Sequence, residues 1–472
     1  MRCNALDNMK TNMSSKYPNL RAALPDIAYA LLGALFLLTP AFINHYPIAN
    51  PDTGAYMHSG FMLETPPDRP ITYGLTLRLF SLNGATLWTA IGIQALIIAI
   101  LINALIKHFC NGRIPFFAAL TTYAILSFTT GLSWVACELI ADVYTAICLL
   151  CILCLFILRL NTARKITLYL LLIISIAAHT SHTILFSGVS IAVLLFARFL
   201  VAREDIKHVI RTTLLVVACS VCAYVAIYPS ISRSSHAFLT TSFLDKGILI
   251  PYLHDKCPTS NYTICKYKDS LIQDPNWFLW ENSPFFKEGK WDGTTKDYTA
   301  LNRDILTHAP YNIMFIKKSF EFTLQQLRTF NIGDGNVPFD NESPVFYGIQ
   351  GHVSHKEAND FLLSKQNEHN IRTDLLPINT IMMIIVMISC LVIIVTLLVK
   401  RKSLHRDMPI LLFIAIMSIL VNAADCATFS QINGRYGCRI MWVLPFCAIL
   451  MLLNRKVIPH HHSVQGSATS HP

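Results

Sequence analysis

Charged side chains are scarce in this chain. Only 14% of its 472 residues are Asp, Glu, Lys or Arg, against 53% hydrophobic residues and a mean hydropathy of +0.46. So little charge over such a length excludes a soluble globular protein and leaves a polytopic membrane protein. Familiar catalytic signatures are missing too. Residues 232–376 contain no GxSxG, no Walker loop, no HExxH and no CxxC pair with zinc spacing, which removes the commonest serine-hydrolase, nucleotide-phosphate and zinc-enzyme readings for that stretch. No internal repeat stands out, and no basic stripe is interleaved with aromatics, so nucleic acid is not an expected partner. No small-residue cleavage site follows the first apolar run, which is therefore expected to stay as an anchor.

What is present is a series of apolar runs. A transmembrane helix needs roughly 20 mostly apolar residues, and about ten stretches qualify: 27–44, 86–106, 115–131, 139–159, 166–180, 183–200, 209–229, 378–399, 409–424 and 440–454. The expected fold is an all-α membrane protein of about ten spans. It divides into an N-terminal tail (1–26), a membrane region (27–231) holding a first outer loop at 45–85, an α-rich outer segment (232–376) between spans seven and eight, a second membrane region (377–456), and a disordered, histidine-rich tail (457–472). Lysine and arginine collect in alternate short loops: Lys107 with Arg113, then Arg159, Arg164 and Lys165, then Arg198, Arg203, Lys207 and Arg211, and finally "VKRKSLHRD" at 399–407. The positive-inside rule assigns these loops and both termini to the cytoplasm, as expected for a multi-pass protein of the inner membrane. The net charge of +10 then serves topology and contact with anionic membrane lipid.

The opposite set of loops holds the costly chemistry. It includes "IANPDTGAYMHSGFMLETPPDRPITY" at 48–73, "GLSWVACE" at 131–138, "HTSH" at 179–182 and "NAADCATFSQINGRYGCR" at 422–439. Two cysteine pairs there, Cys257 with Cys265 and Cys426 with Cys438, are close enough in sequence to form disulfides in an oxidising periplasm or exterior. In the outer segment, Trp277, Phe278, Trp280 and Trp291 offer aromatic anchors, and 311–330 has the apolar spacing of an amphipathic helix. Glu138 and Asp142 stand four apart in "CELIADVY", as on one helical face, and Arg435 and Arg439 do the same in "NGRYGCRIMWVLP". Polar groups this near hydrocarbon usually face a cavity.

The order of an acidic residue just after the first span, an aromatic, a proline turn and a short interfacial helix, in "NPDTGAY" and "DRPITYGLTLRLFSLNG", resembles the first outer loop of GT-C glycosyltransferases. That group includes protein mannosyltransferases and lipid A aminoarabinose transferases, which use polyprenyl-phosphate-linked sugars. The resemblance implies that Asp52 acts at the catalytic centre, and that Arg69 stands where the family's "HPP.Y" stretch carries histidine. A second acidic site at the outer end of a later span also fits the family, here Glu138 and Asp142. The ending is similar to that of bacterial membrane proteins with "RY..R..WL.P". The chain departs from many GT-C enzymes in placing its large outer segment between spans seven and eight instead of after all of them.

Transfer of a sugar from a lipid phosphate to a glycan or lipid acceptor needs a base for the acceptor hydroxyl and cationic donors for the departing phosphate. Asp52 is the expected base, with Tyr56 beside it, and Arg69, Arg435 and Arg439 are the expected phosphate ligands. Glu138 and Asp142 are expected to orient the acceptor or to help hold Mg²⁺ or Mn²⁺, a choice the residues leave open, and His179 and His182 to contact a phosphate. Each has a plainer use as well: an Asx turn for Asp52, a helix-dipole charge for Glu138, headgroup anchoring for the arginines. The rival functions are a polysaccharide or lipid transporter or flippase, and a noncatalytic envelope-assembly subunit.

Overall fold

A computed structural model describes residues 18–369, 375–400 and 403–454. Most of the N-terminal tail and the whole histidine-rich tail lie outside these. Among the described residues the chain is helical throughout, and its one β pairing is a parallel bridge between Ile48 and Glu138. Helix α1 (Pro18–Leu37) leads to two short helices, α2 (Thr53–Met62) and α3 (Thr72–Phe80). There follow α4 (Leu87–Phe109), α5 (Phe116–Thr129), α6 (Leu132–Cys137), α7 (Val143–Ile157), α8 (Thr162–Ala177), α9 (His182–Leu200) and α10 (Ile206–Asp245). The outer segment contains α11 (Tyr311–Gln326) and α12 (Pro344–Gln350); then come α13 (Leu376–Lys400), α14 (Met408–Phe429), α15 (Gly434–Met441) and α16 (Val443–Leu453).

Local chemistry sets several of these boundaries. Thr86 caps α4 by accepting from the Trp88 amide, and Asn161 caps α8 by accepting from Arg164, each satisfying an amide that the helix leaves orphaned. After α4 the chain reverses at Asn111 and Gly112, whose φ values are 58° and 84°, a conformation open to Asn and Gly at low cost.

Among the described residues six helices are long and apolar enough to cross a bilayer: α4, α9, α10, α13, α14 and the α15–α16 pair. The apolar runs Leu24–Leu37, Phe116–Thr129 and Val143–Ile157 are shorter, as is α8 with 16 residues. Of the ten expected spans, six thus have full length as single apolar helices, and the other four coincide with shorter ones. Burial explains one of these: all 15 residues of α7 are buried, so protein surrounds it and bilayer thickness does not dictate its length.

The edge of the outer segment differs from the expected one. Instead of ending near 229, the seventh span continues unbroken past Pro229 to Asp245, 40 residues in all, or about 60 Å of helix. The segment it enters has two parts. One packs around its own aromatic core of Phe278, Phe285, Trp291 and Tyr298 against the end of α10, with Trp280 left 47% exposed. The other, from Phe330 to Phe361, packs into the same core as the membrane helices. α11 rests on α14 and turns Ile313, Ile316, Phe320 and Leu324 outward.

Cys257 and Cys265 are joined by a disulfide. Cys426 and Cys438 are not. Both are buried thiols with other neighbours despite their proximity in sequence, Cys426 beneath Arg439 and Cys438 against Gly131 of the α5–α6 turn.

Candidate functional site

The first outer loop is a hairpin of α2 and α3, made possible by glycine: a Cβ on Gly60 would stand 2.0 Å from the Gly74 carbonyl oxygen, and one on Gly74 would stand 2.5 Å from that of Tyr56. This approach sets Tyr56 edge-on to Tyr73, with centroids 4.7 Å apart, and lays the Arg69 guanidinium over the Tyr56 ring at 5.3 Å. Asp52 occupies the N-cap of α2 but makes no capping bond with its side chain, which disposes of the Asx-turn alternative. Its carboxylate lies 2.7 Å from Arg69 Nη1 and 3.6 Å from Arg435 Nη1, and the side chain keeps 29% exposure. Burial alone would raise this carboxyl; Arg69 and Arg435 outweigh it and hold Asp52 below the ordinary carboxylate range.

Arg435 and Arg439, as expected, share one helix, α15, but serve different ends. Arg435 donates to Asn50 Oδ1 at 2.9 Å and lies 3.1 Å from Asp142 Oδ2, between the two aspartates. Arg439 is fully buried and its donors are taken: Asp142 Oδ1 at 2.5 Å, Asn422 Oδ1 at 2.9 Å, Cys426 Sγ at 3.3 Å and Ser181 Oγ at 3.4 Å. It therefore braces the site and does not face a ligand. The headgroup-anchor alternative fails for both, because their guanidinium groups point into protein.

Glu138 and Asp142 do not share a helical turn. The chain breaks between α6 and α7, Glu138 taking extended geometry as the C-cap of one and Asp142 serving as the N-cap of the other. The break lets Glu138 pair its backbone with Ile48 and aim its carboxyl at the outer segment, where Oε1 accepts from Asn336 at 3.0 Å and Oε2 is buried without a hydrogen-bond partner. Burial pushes this carboxyl up to about 7, against the Asn336 hydrogen bond.

The two histidines also separate. His182 is fully buried; its Nδ1–H donates to the Ser175 carbonyl and its Nε2 accepts from Thr145, each at 2.8 Å. Both ring nitrogens are spent, so it cannot take a phosphate. His179 is partly open and turns Nδ1 back to Ser181 at 2.8 Å.

Several members of the site escaped the sequence analysis. Residues 331–339 form a strap across the helix ends that carry Glu138 and Gly434. Asp334 accepts from the Gly434 amide at 2.7 Å, Asn336 holds Glu138, and Gly335, at φ 90°, passes so close to Asn50 that a Cβ would stand 2.4 Å from its Nδ2. Gln366 ties the same strap to the first loop, bonding Ala49 at both its N–H and its carbonyl, and Val337 at 3.0 Å. The paired glycines of "NIGDGN" were a visible signal of a tight, close-approaching turn; nothing in them says what they approach.

As a cation cage the cluster fits poorly. Asp52 and Asp142 are already matched by Arg69, Arg435 and Arg439, and no group of three His, Cys, Asp or Glu with metal-ligand spacing occurs here among the described residues. The arrangement can instead offer one accessible ionised carboxylate flanked by two guanidinium groups. The chain matches no protein-family model, no curated protein and no solved structure.

Proposed function

We propose that this chain is a GT-C-like glycosyltransferase of about ten spans in the inner membrane, moving a sugar from a polyprenyl-phosphate donor to a lipid or glycan acceptor on the outer face. One observation carries the reading: Asp52, 29% exposed, sits between Arg69 and Arg435, so a base and two phosphate-type donors meet at one spot. In the reaction, the acceptor oxygen bonds to the anomeric carbon as the bond from that carbon to the lipid phosphate breaks. Asp52 takes the acceptor proton, and Arg69 and Arg435 receive the negative charge left on the phosphate. Arg69 and Arg435 neutralise Asp52 before the donor arrives; shifting them onto phosphate raises the basicity of Asp52 when it is needed. Asp142 and Arg439 hold Arg435 in position, and Tyr56 packs beneath Arg69.

The test is lipid mass spectrometry of a strain lacking the protein, complemented with wild type, Asp52→Asn or Arg435→Ala. Loss should leave an unconsumed polyprenyl-linked sugar. Asp52→Asn should insert normally yet cut transfer by roughly 10²- to 10⁴-fold, the usual contribution of a positioned base. Arg435→Ala should raise KM as well as lower kcat. Full complementation by Asp52→Asn would sink the reading; an unsugared lipid or polymer building up on one face would point to transport instead.

A further inference from the structure

The opposite end of the helix bundle carries a second cluster that the transferase chemistry does not use. His108, in the last turn of α4, and His405 with Asp407, in the turn that starts α14, bring three metal-type ligand atoms within 4.8 Å of one another. His108 Nε2 lies 2.8 Å and His405 Nδ1 3.6 Å from the same oxygen, Asp407 Oδ2. The helices fix the location: Asn422 and Cys426, which hold Arg439, come more than a dozen residues later on α14, roughly 20 Å further along the axis.

From this geometry we infer that His108, His405 and Asp407 form a binding site for a divalent transition-metal ion of the zinc type. Bonds of about 2.0–2.1 Å from a tetrahedral ion place its ligands about 3.3 Å apart, between the two distances observed, so small side-chain rotations suffice. Two imidazoles and one carboxylate suit zinc and its neighbours and not magnesium or calcium, which prefer oxygen alone. Three protein ligands leave one position for water. The side chains of His108, His405 and Asp407 are 23%, 22% and 15% exposed, shielded yet reachable. The ion does meet one opposing charge, since Arg406 Nε lies 3.8 Å from Asp407 Oδ1; that side chain is 61% exposed and also reaches Glu204 at 3.9 Å, so it can swing clear. The Asp407 amide donates to His405 Nδ1 at 3.2 Å, which fixes that nitrogen as the unprotonated one; its single lone pair must leave this long bond to take the ion. A bound ion would staple the α4–α5 turn to the α13–α14 turn.

The experiment uses the full chain in detergent, with tail residues His460, His461, His462 and His471 replaced by alanine in every arm to remove their own metal affinity. Zinc is titrated in competition with a chromophoric chelator, and cobalt is followed by its visible absorption. One zinc per chain, a nitrogen- and oxygen-ligated tetrahedral cobalt spectrum, and a rise in Tm with zinc but not magnesium are expected. His405→Ala and Asp407→Asn should each weaken zinc binding at least about 10-fold. If those variants do not fold, the cobalt spectrum of the tail-substituted parent decides. Absence of the tetrahedral cobalt band, or zinc affinity unchanged in either folded variant, would overturn the site.

Discussion

At the scale of single residues, the cluster sorts its acids by environment. Asp52 and Asp142 face arginines and stay ionised partners, whereas Glu138 has a neutral amide on one oxygen and nothing on the other. Its carboxyl, up near 7 from an ordinary 4.5, makes stability depend on pH with a definite sign. Below about pH 4.5 both folded and unfolded chains hold this proton. Between there and about 7 the unfolded chain has released it while the folded one keeps it, so stability falls as pH rises, and it levels off above. Glu138→Gln keeps the Asn336 hydrogen bond and removes the penalty. Its Tm should match wild type near pH 4.5 and exceed it at pH 8, by the equivalent of up to roughly 3 kcal/mol. Parallel Tm curves for the two proteins would mean that Glu138 is ionised in the folded state.

At the scale of elements, the α2–α3 hairpin shows how backbone contact serves chemistry. Its two helices touch through Gly60 and Gly74, and that contact, with Ser230 donating to the Arg69 carbonyl, brings Arg69 back onto Asp52. Gly60→Ala must push the hairpin open, at the 1–3 kcal/mol typical of overpacking, and should lower both Tm and transfer activity. Gly92→Ala, in the second turn of α4 with nothing within 4 Å of its Cβ, should leave activity unchanged and Tm equal or slightly higher. Equal effects at the two positions would show that helix propensity, not contact, is being measured. The expected interfacial helix after "DRPITY" is visible in the sequence because its apolar spacing is local; the glycine contact is not, since Gly60 and Gly74 carry no pattern that names each other.

At the scale of the whole molecule, the ends of the helices divide into two groups. His108 meets Asp407, and Glu204 before α10 meets Arg406, while at the far end of α10 Ser242 donates to the Thr428 carbonyl at 2.6 Å. Reporter fusions after residues 111 and 404 should therefore share one side of the membrane, and a fusion after residue 300 the other. Lysine and arginine in the short loops assign the first two to the cytoplasm and the third to the outside. A cytoplasmic reporter at 300 would place Asp52 on the wrong face for a polyprenyl-linked donor delivered outside.

Hydrophobicity is additive along the chain, and whatever depends on it was legible in the residues: a membrane protein, the approximate positions of its apolar helices, and charged groups gathered in one set of loops. Pairing within a few residues was legible as well, as Arg435 with Arg439 on α15 and Cys257 with Cys265 attest. Tertiary structure decided the rest. It broke the helix between Glu138 and Asp142, spent His182 on Ser175 and Thr145, kept Cys426 and Cys438 apart, and laid the 331–339 strap over Asn50 and Glu138. Above all it brought Asp52 to Arg435 across most of the chain. The physical reason is that burial of an apolar run depends on that run's own composition, whereas the partner of a buried charge depends on which distant segment the packed helices deliver to it.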